Sequence, residues 1–203
     1  MPLPFSSMLR KVLILLFLAI CILLWCIAPL TAQPIPPRDV QAQRAAACTV
    51  WLQSKMNVVE SGRNNGGPAV GAIVKAGGGV PSQYPEWCGF TQAACQRANK
   101  LPIPKNGMQG AAAAWFRDAL RTVYLVGQRG RADSVRVGYK LGFNYGHAIH
   151  HIGAVVQVVP PLRKGRPPRG FYSIAGNEGK FPGGVHLTYY PTPNVAAGAN
   201  WLY

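Results

Sequence analysis

The apolar residues of this chain change their spacing at Gly127. Before it they recur at helical intervals; from Val135 onward Val, Tyr, Phe and Ile alternate with Gly and polar residues, the period of strands. The first half predicts a helix from about Asp39 to Val59, with Asp39 as N-cap, Ala46, Val50 and Trp51 on one side, and Ser61-Gly62 at its end. A turn over Asn64-Asn65-Gly66-Gly67 leads into Pro68, which suits the first position of a second helix to about Lys75, closed by Gly77-Gly78-Gly79. Two further helices are expected over Trp87–Asn99 and Met108–Val126. Strands are expected over Ser134–Tyr139, His151–Val159, Phe171–Ala175 and Val185–Tyr190. Helices first and an antiparallel meander afterwards make a single α+β domain, and 203 residues are enough for one such core. With 23 Gly and 18 Pro but no repeat, the chain is loop-rich rather than collagenous or coiled-coil.

The N-terminus sets the compartment. Arg10 and Lys11 precede a wholly apolar run from Val12 to Ala28, followed by Pro29, Leu30, Thr31 and Ala32. Basic residues, an apolar stretch and small residues form an export signal over residues 1–32, or an uncleaved anchor through residues 12–28 with its basic end in the cytoplasm. Residues 33–38 are a Pro-rich linker, and the domain proper spans 39–203. Residues 33–203 keep 19 Lys and Arg against 6 Asp and Glu, a charge of +13. Such an excess favours retention on a polyanion; outside a bacterial cell that is an acidic wall polymer rather than nucleic acid.

Three cysteines follow the export segment: Cys48, Cys88 and Cys95. An oxidising compartment allows one pair and leaves one thiol over. Cys88 follows Tyr84-Pro85-Glu86-Trp87 and opens a helix. The unpaired N–H groups there favour an anion, so the position suits a nucleophilic thiolate as well as a small buried residue. Cys95 lies two turns further on, about 10 Å along the axis, too far for a bridge to Cys88. Cys48, on the first helix, is its candidate disulfide partner if the two helices pack side by side; two separate buried thiols are the alternative. A thiolate nucleophile needs a base. Of His147, His150, His151 and His186, His151 opens the clearest strand, His151-Ile152-Gly153-Ala154-Val155-Val156-Gln157, with Gly153 leaving room on the same face, a face suited to meet a Cys on a packed helix. His150 is one register step away. A hairpin from this strand returns Gly176-Asn177-Glu178 towards His151, so Asn177 or Glu178 could orient the ring. The three neighbouring His carry no HExxH pattern, and neither a metal nor a cofactor is expected.

Taken in order, Asn64-Asn65-Gly66-Gly67-Pro68, Glu86-Trp87-Cys88-Gly89-Phe90, His151-Ile152-Gly153-Ala154-Val155-Val156 and Gly176-Asn177 resemble the CHAP group of papain-like cysteine amidohydrolases and peptidases, whose members cut bacterial peptidoglycan. The likeness is to the branch with an NNRGP turn, a PWCAAF helix and a GHVGIV strand, and it spans about residues 60 to 190. It implies a papain-like fold with N-terminal helices on an antiparallel meander, Cys88 as nucleophile, His151 as base and Asn177 as orienting residue. The chain departs from the group at Ala175, where a Glu frequently precedes the Asn by two residues, and in lacking an Asp in Val137-Gly138-Tyr139-Lys140. The expected function is therefore an exported hydrolase of peptidoglycan amide bonds, with peptidoglycan or another anionic wall polymer as partner. The alternative is a catalytically inactive wall-binding module of the same fold.

Overall fold

The computed structural model describes residues 35–83, 85–105, 107–144 and 148–203. Every described element belongs to one compact unit, Pro36–Tyr203. The expected export segment lies outside the described residues, and among those described no helix is long and apolar enough to cross a membrane.

Helix α1 (Arg38–Gln53) starts after Pro37, with Asp39 inside its first turn rather than capping it. Its buried stripe is Ala45, Cys48 and Leu52, at steps of three and four residues. This corrects the expected face: Ala46 and Val50 are exposed and Trp51 half-buried. An Ala-rich helix carries its stripe at more than one phase, and Cys48 decides it by packing with Cys95. The helix also stops short of Val59, because Glu60 N and Val185 N bond across to Gly183 O and Val58 O. Helix α2 (Pro68–Ala76) begins with Pro68 as expected and buries Val70, Ile73 and Val74. Gly67, at φ 104°, precedes it, and a Cβ there would sit 2.4 Å from Ser61 Oγ. Helix α3 (Cys88–Ala98) is buried on nearly every side. Its polar residues bond inward: Thr91 Oγ1 donates to Trp87 O, Gln92 Nε2 to Ile174 O and Gln96 Nε2 to Trp201 O.

The expected fourth helix does not form. Met108–Gly110 and Ala112–Phe116 are short 3-10 turns, and Thr122–Leu125 is strand β1. Trp115 Nε1 folds back onto Gln109 O, and Thr122 Oγ1 takes Phe116 O, so the backbone groups a helix needs are already engaged. The remaining strands are β2 (Arg129–Gly130), β3 (Lys140–Asn144), β4 (Ile149–Val159), β5 (Gly170–Glu178), β6 (Gly184–Pro191) and β7 (Val195–Ala199). They form one sheet in the order β2-β1-β7-β3-β4-β5-β6, and every pairing is antiparallel. The expected first strand is displaced: Ala132–Ser134 is a 3-10 turn, Gly138 turns the chain at φ 85°, and pairing as β3 begins at Lys140. The meander β3-β4-β5-β6 is interrupted on its other side by β7, which returns between β1 and β3.

The molecule is thus an α+β domain, with α3 against β4 and β5 and both α1 and α2 packed on α3. Ile152 and Ala154 of β4 face this helical layer, in clusters with Cys88 and Cys95 respectively. Leu141, Phe143, Val155 and Phe171 form a separate cluster on the other face of the sheet.

Candidate active site

Cys88 is the first residue of α3, with Trp87 as N-cap, and 2% of its surface is exposed. A helix of this geometry leaves its first N–H groups without intrahelical partners, so the Cys88 N–H and the helix dipole act together beside the sulfur. Sγ lies 4.0 Å from His150 O, and the thiol is near enough to the His151 ring to help raise it. His151 pairs with Phe143 of β3, and the two rings lie tilted to each other at 5.8 Å between centroids, so its side chain starts on the face away from α3. That differs from the expectation that its face packs on the helix. The two groups meet because His151 lies near the start of β4, where the pairing slips between Phe143 and Asn144, and Cys88 is at the tip of α3.

On the other side of the ring His151 Nε2 is 2.8 Å from Glu178 Oε2. With a carboxylate as its partner, Nε2 carries the proton of that bond. Tyr190 donates its hydroxyl to Glu178 Oε1, and the Tyr190 ring stacks on Phe143 at 3.9 Å. Burial pushes His151 down, but the hydrogen bonds and charges of Cys88 and Glu178 outweigh it and raise the ring from 6.5 to about 9. For Glu178, burial works upward, and the His151 hydrogen bond and charge, with Tyr190 and His186, bring the net result below the ordinary carboxylate value. Each partner favours the charged form of the other.

Glu178 thus stands where Asn177 was expected. Ala154 pairs with Ile174 and Val155 with Ser173, so a regular ladder would set Asn177 opposite His151. Asn177 instead adopts φ 57°, and the β5–β6 register slips between Ala175 and Glu178. Such a bulge re-aims the next side chain, and Glu178 takes the position at the imidazole. His150 and His186 are exposed; His147 lies outside the described residues.

Cys48 and Cys95 meet between α1 and α3 as two buried thiols, not as a disulfide. Cys95 Sγ lies 3.5 Å from Cys48 O, and Cys48 Sγ donates to Gln96 Oε1 at 3.3 Å. The Cys95 hydrogen bond, against burial and with Lys140 nearby, lowers Cys48 to about 7; Cys95 is pushed up by that same hydrogen bond and by burial. Lys140 is itself fully buried, with Nζ 3.0 Å from Gln92 Oε1. Neither Lys140 nor Glu60, a buried carboxylate bonded to Trp87, stands out in the sequence by pattern. Rarity was the available signal for Glu60 and Glu178, because the chain holds only six acids. Among the described residues no three His, Cys, Asp or Glu gather as metal ligands.

Compared with models of protein families, with curated proteins and with solved structures, the chain matches none of them.

Proposed function

We propose that this protein is an exported cysteine hydrolase of papain-like arrangement that cleaves amide bonds of bacterial peptidoglycan. The observation that carries the reading is the placement of Cys88, at a helix N-terminus, against the start of β4, where His151 is bonded to Glu178. Three groups so linked supply a nucleophile, a proton carrier and a positioning carboxylate. Cys88 Sγ, having given its proton to His151, attacks the carbonyl carbon, and the developing oxyanion turns to the Cys88 N–H. His151 then protonates the leaving amine, which departs as the carbon–nitrogen bond breaks. Water, losing a proton to His151, attacks the thioester; a carboxylic acid leaves, and the thiol is restored. Glu178 holds the imidazolium through both steps. The choice of peptidoglycan rests on the motif likeness, on the apolar export segment and on the charge of +13 over residues 33–203.

One observation favours the second reading, an inactive wall-binding module: Cys88 is nearly enclosed. Incubation with purified peptidoglycan followed by mass analysis separates the two. Hydrolysis releases fragments with new amine and carboxylate ends, and Cys88→Ala releases none. Fragment release that survives in Cys88→Ala removes the cysteine-hydrolase reading. Binding without release by the wild type leaves the module.

A further inference from the structure

Glu60 is a carboxylate at 3% exposure with two hydrogen bonds that bracket the site. Oε1 accepts from Trp87 Nε1 at 2.9 Å, and Oε2 accepts from Gly183 N at 2.9 Å. Its own N–H donates to Gly183 O at 2.8 Å. Trp87 is the residue before Cys88, and Gly183 lies in the turn that leaves β5 after Glu178. The Trp87 ring also lies against the β5 bulge, since a Cβ on Gly176 would be 2.8 Å from it and 2.1 Å from Thr91 Oγ1. One carboxylate therefore ties the start of α3 to the end of β5.

No Lys, Arg or His among the described residues pairs with Glu60. A buried carboxylate without a cation is costly for stability, and each of its oxygens must be met by a donor. An amide in its place would accept on one oxygen only and turn its NH2 towards the second donor. A carboxylate buried on such terms points to a geometric task. Resting on the hydrolase reading above, we propose that Glu60 is a positioning residue that holds Cys88 within reach of the His151–Glu178 pair.

The test uses the exported protein with Glu60→Gln and Trp87→Phe, the second removing only the indole N–H. Two readouts are taken on folded protein: kcat and KM for fragment release, and the His151 titration by NMR, assigned by its absence from His151→Ala. The groups that face His151 are Cys88 from α3 and Glu178 from β5, with Tyr190 and His186 of β6 acting through Glu178. Loosening Cys88 should lower the His151 midpoint, because one of its two raising partners withdraws. A misplacement near 1 Å costs about a hundredfold in rate, so kcat should fall by roughly tenfold to a hundredfold with little change in KM. A wild-type kcat, or a lower kcat with an unmoved His151 midpoint, overturns the proposal; the latter outcome marks Glu60 as structural only. If Glu60→Gln does not fold, Trp87→Phe decides by the same readouts. If the wild type releases no fragments, the hydrolase reading fails by itself. The His151 midpoint then decides alone whether Glu60 sets the geometry.

Discussion

The His151–Glu178 contact makes opposite demands on pH at its two ends. His151 is raised from 6.5 to about 9 in the folded chain, so its stabilising contribution is complete below 6.5 and is lost as pH climbs through about 9. Glu178 is lowered, so its contribution is present above the ordinary carboxylate value of 4.5 and is lost as pH falls through its folded value. The pair should therefore stabilise the fold between about 4.5 and about 9. Thermal unfolding of wild type and Glu178→Gln from pH 6 upward should converge as pH passes about 9; curves that stay parallel would show that the carboxylate does not raise the imidazole. Under the proposed hydrolase mechanism, the same pair should set the alkaline limit of hydrolysis. His151 must carry a proton for the leaving amine, so kcat should fall above about 9 in the wild type and at lower pH in Glu178→Gln. Glu178→Gln should also cost more activity than Asn177→Ala. A larger loss in Asn177→Ala would restore Asn177 as the orienting residue.

Two glycines on neighbouring helices have opposite tasks. A Cβ on Gly89 would lie 2.3 Å from Gly110 O and 2.7 Å from Gln109 O, so α3 and the Met108–Gly110 turn touch backbone to backbone. A Cβ on Gly71 of α2 would meet only Pro81 Cβ, at 3.5 Å, which is ordinary contact. Gly89→Ala should destabilise by roughly 1–3 kcal/mol, whereas Gly71→Ala should be neutral or stabilising by up to about 1 kcal/mol through helix propensity. Urea unfolding of the two variants measures this, and equal effects would mean that the close approach at Gly89 does not constrain the fold. The Ala-rich segment after Gly110 is not a helix. Ala111-Ala112-Ala113-Ala114 reads as helical by propensity, yet Trp115 Nε1 and Thr122 Oγ1 hold the neighbouring backbone in tight turns. Intrinsic propensity is worth only tenths of a kcal/mol per residue, and side-chain bonds of this kind exceed it.

At the scale of the molecule, the charge and the site are at different places. Arg163, Lys164, Arg166 and Arg169 are exposed in the loop from β4 to β5. His151 lies near the start of β4 and Glu178 ends β5, so the basic loop is at the far end of both strands. Wall binding should weaken with salt, since the screening length shrinks from about 30 Å at 0.01 M to about 3 Å at 1 M. Replacing Lys164 and Arg166 with Glu should weaken sedimentation with wall material and leave cleavage of soluble fragments unchanged. Binding that ignores salt would point to a neutral recognition surface.

Local residue patterns were enough for α2, for α3 and for the strands that became β4, β5 and β6, because a Pro or Gly punctuates each element or an apolar period spans it. They also mark Cys88 and His151 as candidates 63 residues apart, and the fold sets Cys88 against the start of β4. They could not reveal β7, whose Val195-Ala196-Ala197-Gly198-Ala199 has little strand character and pairs because β1 and β3 leave a place for it. Nor could they choose Glu178 over Asn177. Strict alternation favours Asn177, and only a left-handed residue in the folded strand, with the bulge it makes, turns Glu178 to the imidazole. Glu60 is a still clearer case, since its role exists only where Trp87 and Gly183 converge. Periods and punctuation act between near neighbours and are written in the chain; register slips and buried hydrogen bonds depend on which distant segments meet, and that is decided by packing.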